Sequence, residues 1–159
     1  MQIKAKKSLG QNFLIDKNII NKIVAVATIQ PNDNVLEIGP GTGNLTESIL
    51  NKKPKKIYVI EKDERLVKLL SERFKNQITI INEDILKISE HSISNDELIV
   101  FGNLPYNIST QILSKWIISA YNKKWYKSLI LMFQKEVANR ILAKTNSKNY
   151  GRLTILSNW

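Results

Sequence analysis

Five short apolar runs, spaced by stretches of helical periodicity, are the feature that most limits what this chain can fold into. They read VLEIG at 35–39, KIYVIE at 56–61, ITIIN at 78–82, LIVFGNL at 98–104 and SLILMF at 128–133. Between them lie amphipathic segments: a helix from about Asn44 to Asn51, a second carrying Leu66, Leu69, Leu70 and Phe74 behind an Asp63 cap, TQILSKWIISAY, and KEVANRILA after the last run. A further helix is expected ahead of the first run, capped by Asp16, with Ile19, Ile20, Ile23, Val24 and Ala27 on its apolar face, followed by a turn at QPNDN. Apolar strands alternating with helices predict an α/β fold, a doubly wound, mainly parallel sheet covered on both faces. In such a sheet the ligand site lies at the carboxyl ends of the strands.

Length and composition narrow the rest. The 159 residues make about one domain, with 43% hydrophobic and 24% charged residues, as in an ordinary globular protein. The longest apolar stretches, such as LILMF at 129–133, fall far short of the ~20 residues needed to cross a bilayer, and MQIKAKKSLGQNF lacks the apolar core of a signal peptide. Cysteine is absent, which excludes disulfides and thiolate metal sites, and His91 is alone in the polar segment SEHSISND, expected to be a loop. A metal site and histidine-based catalysis are therefore not expected. The net charge of +10 favours a polyanionic partner, nucleic acid before an acidic membrane surface. Basic runs occur at 4–7, 52–56, 122–127 and 143–152, and Trp125, Tyr126 and Tyr150 among the cations suit single-stranded RNA better than duplex DNA.

The chemistry is concentrated where strands end. The first run leads into EIGPGTGNL, which is Glu37-x-Gly39-x-Gly41-x-Gly43; glycines in that turn allow a ligand close to the backbone. A dinucleotide fingerprint would need glycine at position 44, where this chain has Asn44, so a ligand other than pyrophosphate is favoured. Glu61 ends the second run and can accept from both ribose hydroxyls, while Asp84, after the third, can accept from an adenine amine. Together they read as a site for an adenosine-containing molecule.

At the end of the fourth run stands NLPYNIST. Pro105 fixes its own φ and holds Leu104 extended, so the Leu104 carbonyl and the Asn103 side-chain oxygen become two acceptors on a rigid turn. Two acceptors match the two hydrogens of a planar exocyclic amine, and Tyr106 offers a face for the base to stack on. Drawing on those hydrogens favours a more tetrahedral nitrogen with its lone pair free for an electrophile, and the excess proton can leave to water.

KKSLGQNFL at 6–14, LEIGPGTGNLT at 36–46, IEKD at 60–63, NEDIL at 82–86, NLPYNIST and MFQKEVANRI at 132–141 together resemble the ribosomal RNA adenine dimethyltransferases of the KsgA type, along nearly the whole chain. The resemblance implies a Rossmann-like class I fold, S-adenosyl-L-methionine as methyl donor, no metal, and two adjacent adenines near the 3′ end of small-subunit ribosomal RNA as acceptors. It implies an RNA-binding cytoplasmic enzyme of ribosome biogenesis, expected to be monomeric and to act on the immature small subunit. By the same resemblance Asn12 and Leu14 would close over the cofactor, Gly39 would lie beneath its methionine part, and Gly41 would keep the loop open. Glu61 would bind the ribose, Asp84 the adenine, Asn103 both cofactor and target amine; Tyr106 and Phe133 would cover the two faces of the target base. Relatives continue beyond the position matching Trp159 into two further strands and a small helical domain, so residues 1–159 are expected to be a catalytic domain lacking those parts, with a raw sheet edge at the fifth strand. Two alternatives stay open here: the sister group that methylates large-subunit RNA and confers macrolide resistance, and a ribosome-assembly factor without catalysis.

Overall fold

The computed structural model describes residues 4–6 and 10–158; Lys7, Ser8 and Leu9 of the leader motif and Trp159 lie outside them. Strands β1 (Asn34–Ile38), β2 (Lys56–Ile60), β3 (Thr79–Ile81), β4 (Leu98–Asn103) and β5 (Tyr126–Met132) form one sheet in the order β3-β2-β1-β4-β5. Every pairing is parallel. The chain winds outward from β1 to β3, then returns across β1 to continue with β4 and β5. The strand order therefore reverses between β1 and β4, and their carboxyl ends, Ile38 and Asn103, open on the crevice such a reversal creates.

Two apolar layers cover the sheet. Odd positions of β1, β2 and β4 (Val35, Ile57, Val59, Ile99, Phe101) join helices α1 (Lys17–Val26), α2 (Asn44–Leu50) and α3 (Glu64–Phe74) in one core. Even positions (Leu36, Ile38, Ile60, Leu98, Val100) join Ile112 and Trp116 of α4 (Ser109–Asn122) in the other. This period of two on both faces is why the strands read as continuous apolar runs rather than alternating ones. The helices start where their caps require. Asp16 accepts from the backbone N–H of Asn18 and Ile19, and Asp63 from that of Arg65.

Five features depart from the sequence reading. Ile19 is 46% exposed, because α1 turns Ile20 and Val24 into the core and leaves Ile19 on its flank. β3 covers only Thr79–Ile81, and His91 falls in a 3-10 turn, Glu90–Ser92, between β3 and β4. After α5 (Lys135–Ile141) an unanticipated helix, α6 (Arg152–Asn158), packs against α4 and α5. Trp125, grouped with the cations as a stacking surface, is instead buried at 4% exposure, edge-on to Trp116 and Tyr126. β5 is the sheet edge, as expected, although Leu129 and Leu131 pack on one core and Ile130 and Met132 on the other.

The basic runs at 52–56 and 122–127 lie at the amino ends of the strands, opposite the crevice. There Lys55 pairs with Asp96 at 3.2 Å, Lys124 with Glu97 at 3.6 Å and Lys127 with Asp33 at 2.9 Å. No described helix is long and apolar enough to cross a membrane.

Gly43 is the residue on which the β1–α2 turn depends. Its φ is +85°, and a Cβ there would stand 2.5 Å from Phe74 Cε2 and 3.0 Å from Leu70 Cδ2. Gly43→Ala combines the left-handed penalty, ~1–2 kcal/mol, with overpacking of α3, ~1–3 kcal/mol. A loss of roughly 2–4 kcal/mol is expected in urea denaturation; a change below about 0.5 kcal/mol, the scale of an ordinary surface substitution, would contradict this packing.

Candidate active site

The crevice is walled by the residues that follow each central strand. Gly39 and Gly41 follow β1, Glu61 and Lys62 follow β2, Asp84 to Leu86 follow β3, and Asn103, Pro105 and Asn107 end or follow β4. Gln11, Asn12 and Phe13 of the amino-terminal segment form the remaining side. A smaller adjoining cavity lies beneath that segment, lined by Leu14, Glu37, Thr42 and again Asn12, Gly39, Gly41 and Asn103. Of the ten residues assigned from sequence, then, Asn12, Gly39, Gly41, Glu61, Asp84 and Asn103 meet at the crevice, and Leu14 stands beside it.

The others sit differently. Leu104 is 1% exposed, its side chain in the α4-side core, so only its backbone carbonyl is a candidate for chemistry. Tyr106 is 43% exposed, and its hydroxyl accepts a 3.1 Å hydrogen bond from Asn12 Nδ2. Phe133, just past β5, is half-buried and packs against the α4-side core.

Glycine geometry shapes the floor. Gly39 and Gly41 have φ of +64° and +58°, and a Cβ on Gly41 would stand 3.0 Å from the Phe13 ring. The turn is held from outside the crevice. Arg73 on α3 donates from Nη1 to the Thr42 carbonyl at 2.6 Å and from Nη2 to Glu47 at 2.8 Å. Asn44, the residue that breaks the dinucleotide pattern, donates from Nδ2 to the Leu14 carbonyl at 2.9 Å. Its side chain thus ties the glycine turn to the amino-terminal segment, a task glycine could not perform.

That segment is fastened at several points. Gln11 Nε2 donates to Asp63 Oδ2 at 3.0 Å, and Asn103 Nδ2 donates to the Asn12 carbonyl at 2.7 Å. The second contact decides how the Asn103 carboxamide can act. With an amide hydrogen committed to Asn12, the side chain's remaining strong acceptor is Oδ1. Asn12 therefore holds both members of the NLPY turn that could touch a base, Asn103 through its carbonyl and Tyr106 through its amide.

The acids differ in environment. Burial pushes Glu37 up to about 7, against a 2.6 Å hydrogen bond from Thr46 Oγ1, and the nearby Glu61 charge adds to the rise. Burial also raises Glu61, while the Asp63 N–H donating to its Oε1 at 2.9 Å acts the other way. The hydrogen bond from Arg65 holds Asp63 far below the usual carboxylate range, assisted by Gln11. Asp84 is lowered first by Lys62, whose Nζ lies 2.8 Å from Oδ2, and next by the Leu86 N–H donating to Oδ1. Both Asp84 oxygens thus already have partners, which the sequence reading did not foresee. Lys62 is exposed, and each carboxylate oxygen keeps a second lone pair.

An open parallel sheet with a glycine turn after β1, acids after β2 and β3, and an asparagine-proline turn after β4 is the class I methyltransferase fold. Two solved structures share it closely. A dimethyladenosine transferase from Plasmodium falciparum superposes with a TM-score of 0.80 at 36% identity, over 91% of this chain and 51% of that one. The 23S rRNA methyltransferase ErmE superposes with a TM-score of 0.73 at 28% identity, over 92% of this chain and 55% of that one. The family model described as ribosomal RNA adenine dimethylase matches residues 2–159, and the chain belongs to that family. Among curated proteins, the ribosomal RNA small subunit methyltransferase A of Pelagibacter ubique (strain HTCC1062) is 63% identical over 159 residues, all of this chain and 60% of that protein. The chain thus spans less than two thirds of the length of this relative.

Proposed function

We propose that residues 1–159 are the catalytic domain of an S-adenosylmethionine-dependent enzyme that dimethylates the exocyclic amines of two adjacent adenines near the 3′ end of small-subunit ribosomal RNA. In this reading it acts as a cytoplasmic monomer on the immature small subunit. The observation that carries the reading is the 2.7 Å hydrogen bond from Asn103 Nδ2 to the Asn12 carbonyl. It leaves the oxygen of the Asn103 side chain as a fixed acceptor for an amine with two hydrogens, with the Leu104 carbonyl as the second acceptor of this reading.

The residues present suit an adenosyl group. Glu61 offers a buried carboxylate for the ribose hydroxyls, Asp84 an anionic acceptor for the adenine amine, and Ile85 and Leu86 an apolar wall for the purine. Gly39 keeps a Cβ out of the space beside the Asn103 backbone and Gly41 keeps one clear of the Phe13 ring, while Asn12 and Leu14 line the adjoining cavity. When bound, the cofactor supplies an electrophilic methyl group. The chain's own contribution is positioning: Asn103 Oδ1 and Leu104 O accept hydrogen bonds from the amine, the proton displaced by the methyl group leaves to water, Tyr106 stacks on the base, and Phe133 is assigned to its other face. Extracting the base from its stack costs a few kcal/mol, which stacking on Tyr106, ~1–3 kcal/mol, offsets in part.

Between the two RNA substrates, the relative named for the small subunit is 63% identical, whereas the 23S rRNA enzyme is 28% identical. Labelled methyl transfer decides the matter. With the donor present, immature small subunits are expected to accept label and large-subunit RNA none; label on the large subunit alone would reverse the assignment.

A further inference from the structure

Outside the crevice, a partly buried cation is directed at a loop that no sheet ladder supports. Residues 84–93, within the connection from β3 to β4, pass through two 3-10 turns, Ile85–Lys87 and Glu90–Ser92. The carbonyls at the ends of such short turns lack helical partners and need others. Lys115, on α4, provides them. Its ammonium donates to Ile85 O at 3.0 Å, to Ile88 O, and to Glu90 Oε1. An ammonium group has three hydrogens, and these are three acceptors. Glu90 is 2% exposed and also accepts from the indole N–H of the fully buried Trp116 at 2.8 Å.

The clamp spans the two walls of the crevice. Ile85 and Leu86, at one end of the clamped loop, line it on the side of Asp84; α4 begins immediately after the NLPY turn, and Ile108 at its start lines the other side. We infer that Lys115 is a positioning residue, which sets the distance between the wall assigned to the cofactor's purine and the turn assigned to the target base. This rests on the adenosyl reading above. The lysine touches neither ligand; it acts through the two carbonyls it holds.

Calorimetry on the 159-residue chain tests the assignment, with S-adenosylhomocysteine and 5′-methylthioadenosine as probes. Lys115→Met is expected to weaken both by the same factor, roughly tenfold, because only the purine side moves. The single change also strands the buried Glu90 carboxylate and lowers Tm. The double variant Lys115→Met/Glu90→Gln removes that lone charge while keeping an acceptor for Trp116, so Tm is expected to recover. Affinity for both probes is expected to stay weakened, since Ile85 O and Ile88 O still lack their donor. A double variant that bound both probes like the parent would reduce Lys115 to a stabilising residue and overturn the inference. A loss confined to S-adenosylhomocysteine would overturn it too, by implicating the amino-acid half. A parent chain that bound neither probe would overturn the adenosyl reading itself, and the role of Lys115 with it.

Discussion

In the reaction proposed above, Asn103→Ala is expected to lower methyl transfer to small-subunit RNA by about 10²–10³-fold, the usual cost of removing one preorganised polar group from a reacting centre. The side chain does two things that alanine cannot. It presents Oδ1 as an acceptor, and through Nδ2 it anchors the Asn12 carbonyl at 2.7 Å. Losing the anchor loosens the amino-terminal segment, but Asn44 still holds Leu14 and Gln11 still holds Asp63. Affinity for S-adenosylhomocysteine is therefore expected to change only severalfold while the transfer rate collapses. Single-turnover transfer beside calorimetry on the same preparation separates the two. A transfer rate close to the parent's would remove Asn103 from the chemistry.

The second large effect is on stability and concerns Glu37. The folded chain holds this carboxyl near 7 against an ordinary value of 4.5, chiefly through burial. The unfolded chain ionises it at the lower value, so it binds fewer protons than the folded chain between these limits. Stability therefore falls as pH rises from about 4.5 towards about 7 and is level above that window as far as this group is concerned. At roughly 1.4 kcal/mol for each pH unit of displacement, the full cost is on the order of 3 kcal/mol. Glu37→Gln cannot ionise and keeps an oxygen to accept from Thr46. The variant should match the parent in urea denaturation near pH 4.5 and exceed it by up to about 3 kcal/mol at pH 8. A constant difference across that range would mean that Glu37 titrates normally in the folded chain.

Much of the architecture was readable because each strand is apolar on both faces and each helix carries a single stripe. LIVFGN, buried along almost its whole length, is such a strand. What the sequence concealed is mostly long-range. Nothing local marks Asn12 as the partner of Asn103 and Tyr106, which are 91 and 94 positions away. Gln11 and Asp63, separated by 52 positions, are equally silent. Asn44 was noticed only for the glycine it replaces, although its amide carries a contact that joins two parts of the site. Trp125 misled for the opposite reason: its cationic neighbours are exposed, while the indole at the start of β5 turns into the core beside Trp116. The strand-end carboxylates were visible as residue types, but their partners were not. Lys62 on Asp84 and Arg65 on Asp63 come from side chains two positions from a strand end or a cap, where many conformations are open to an isolated chain.

A crystal structure of the chain grown with S-adenosylhomocysteine tests the central claim most directly. The account predicts the purine against Ile85 and Leu86, the ribose hydroxyls on Glu61, and the sulfur atom facing Asn103 Oδ1 and the Leu104 carbonyl. A ligand bound at the crevice with its sulfur turned away from Asn103, or held at any other place on the molecule, would contradict it.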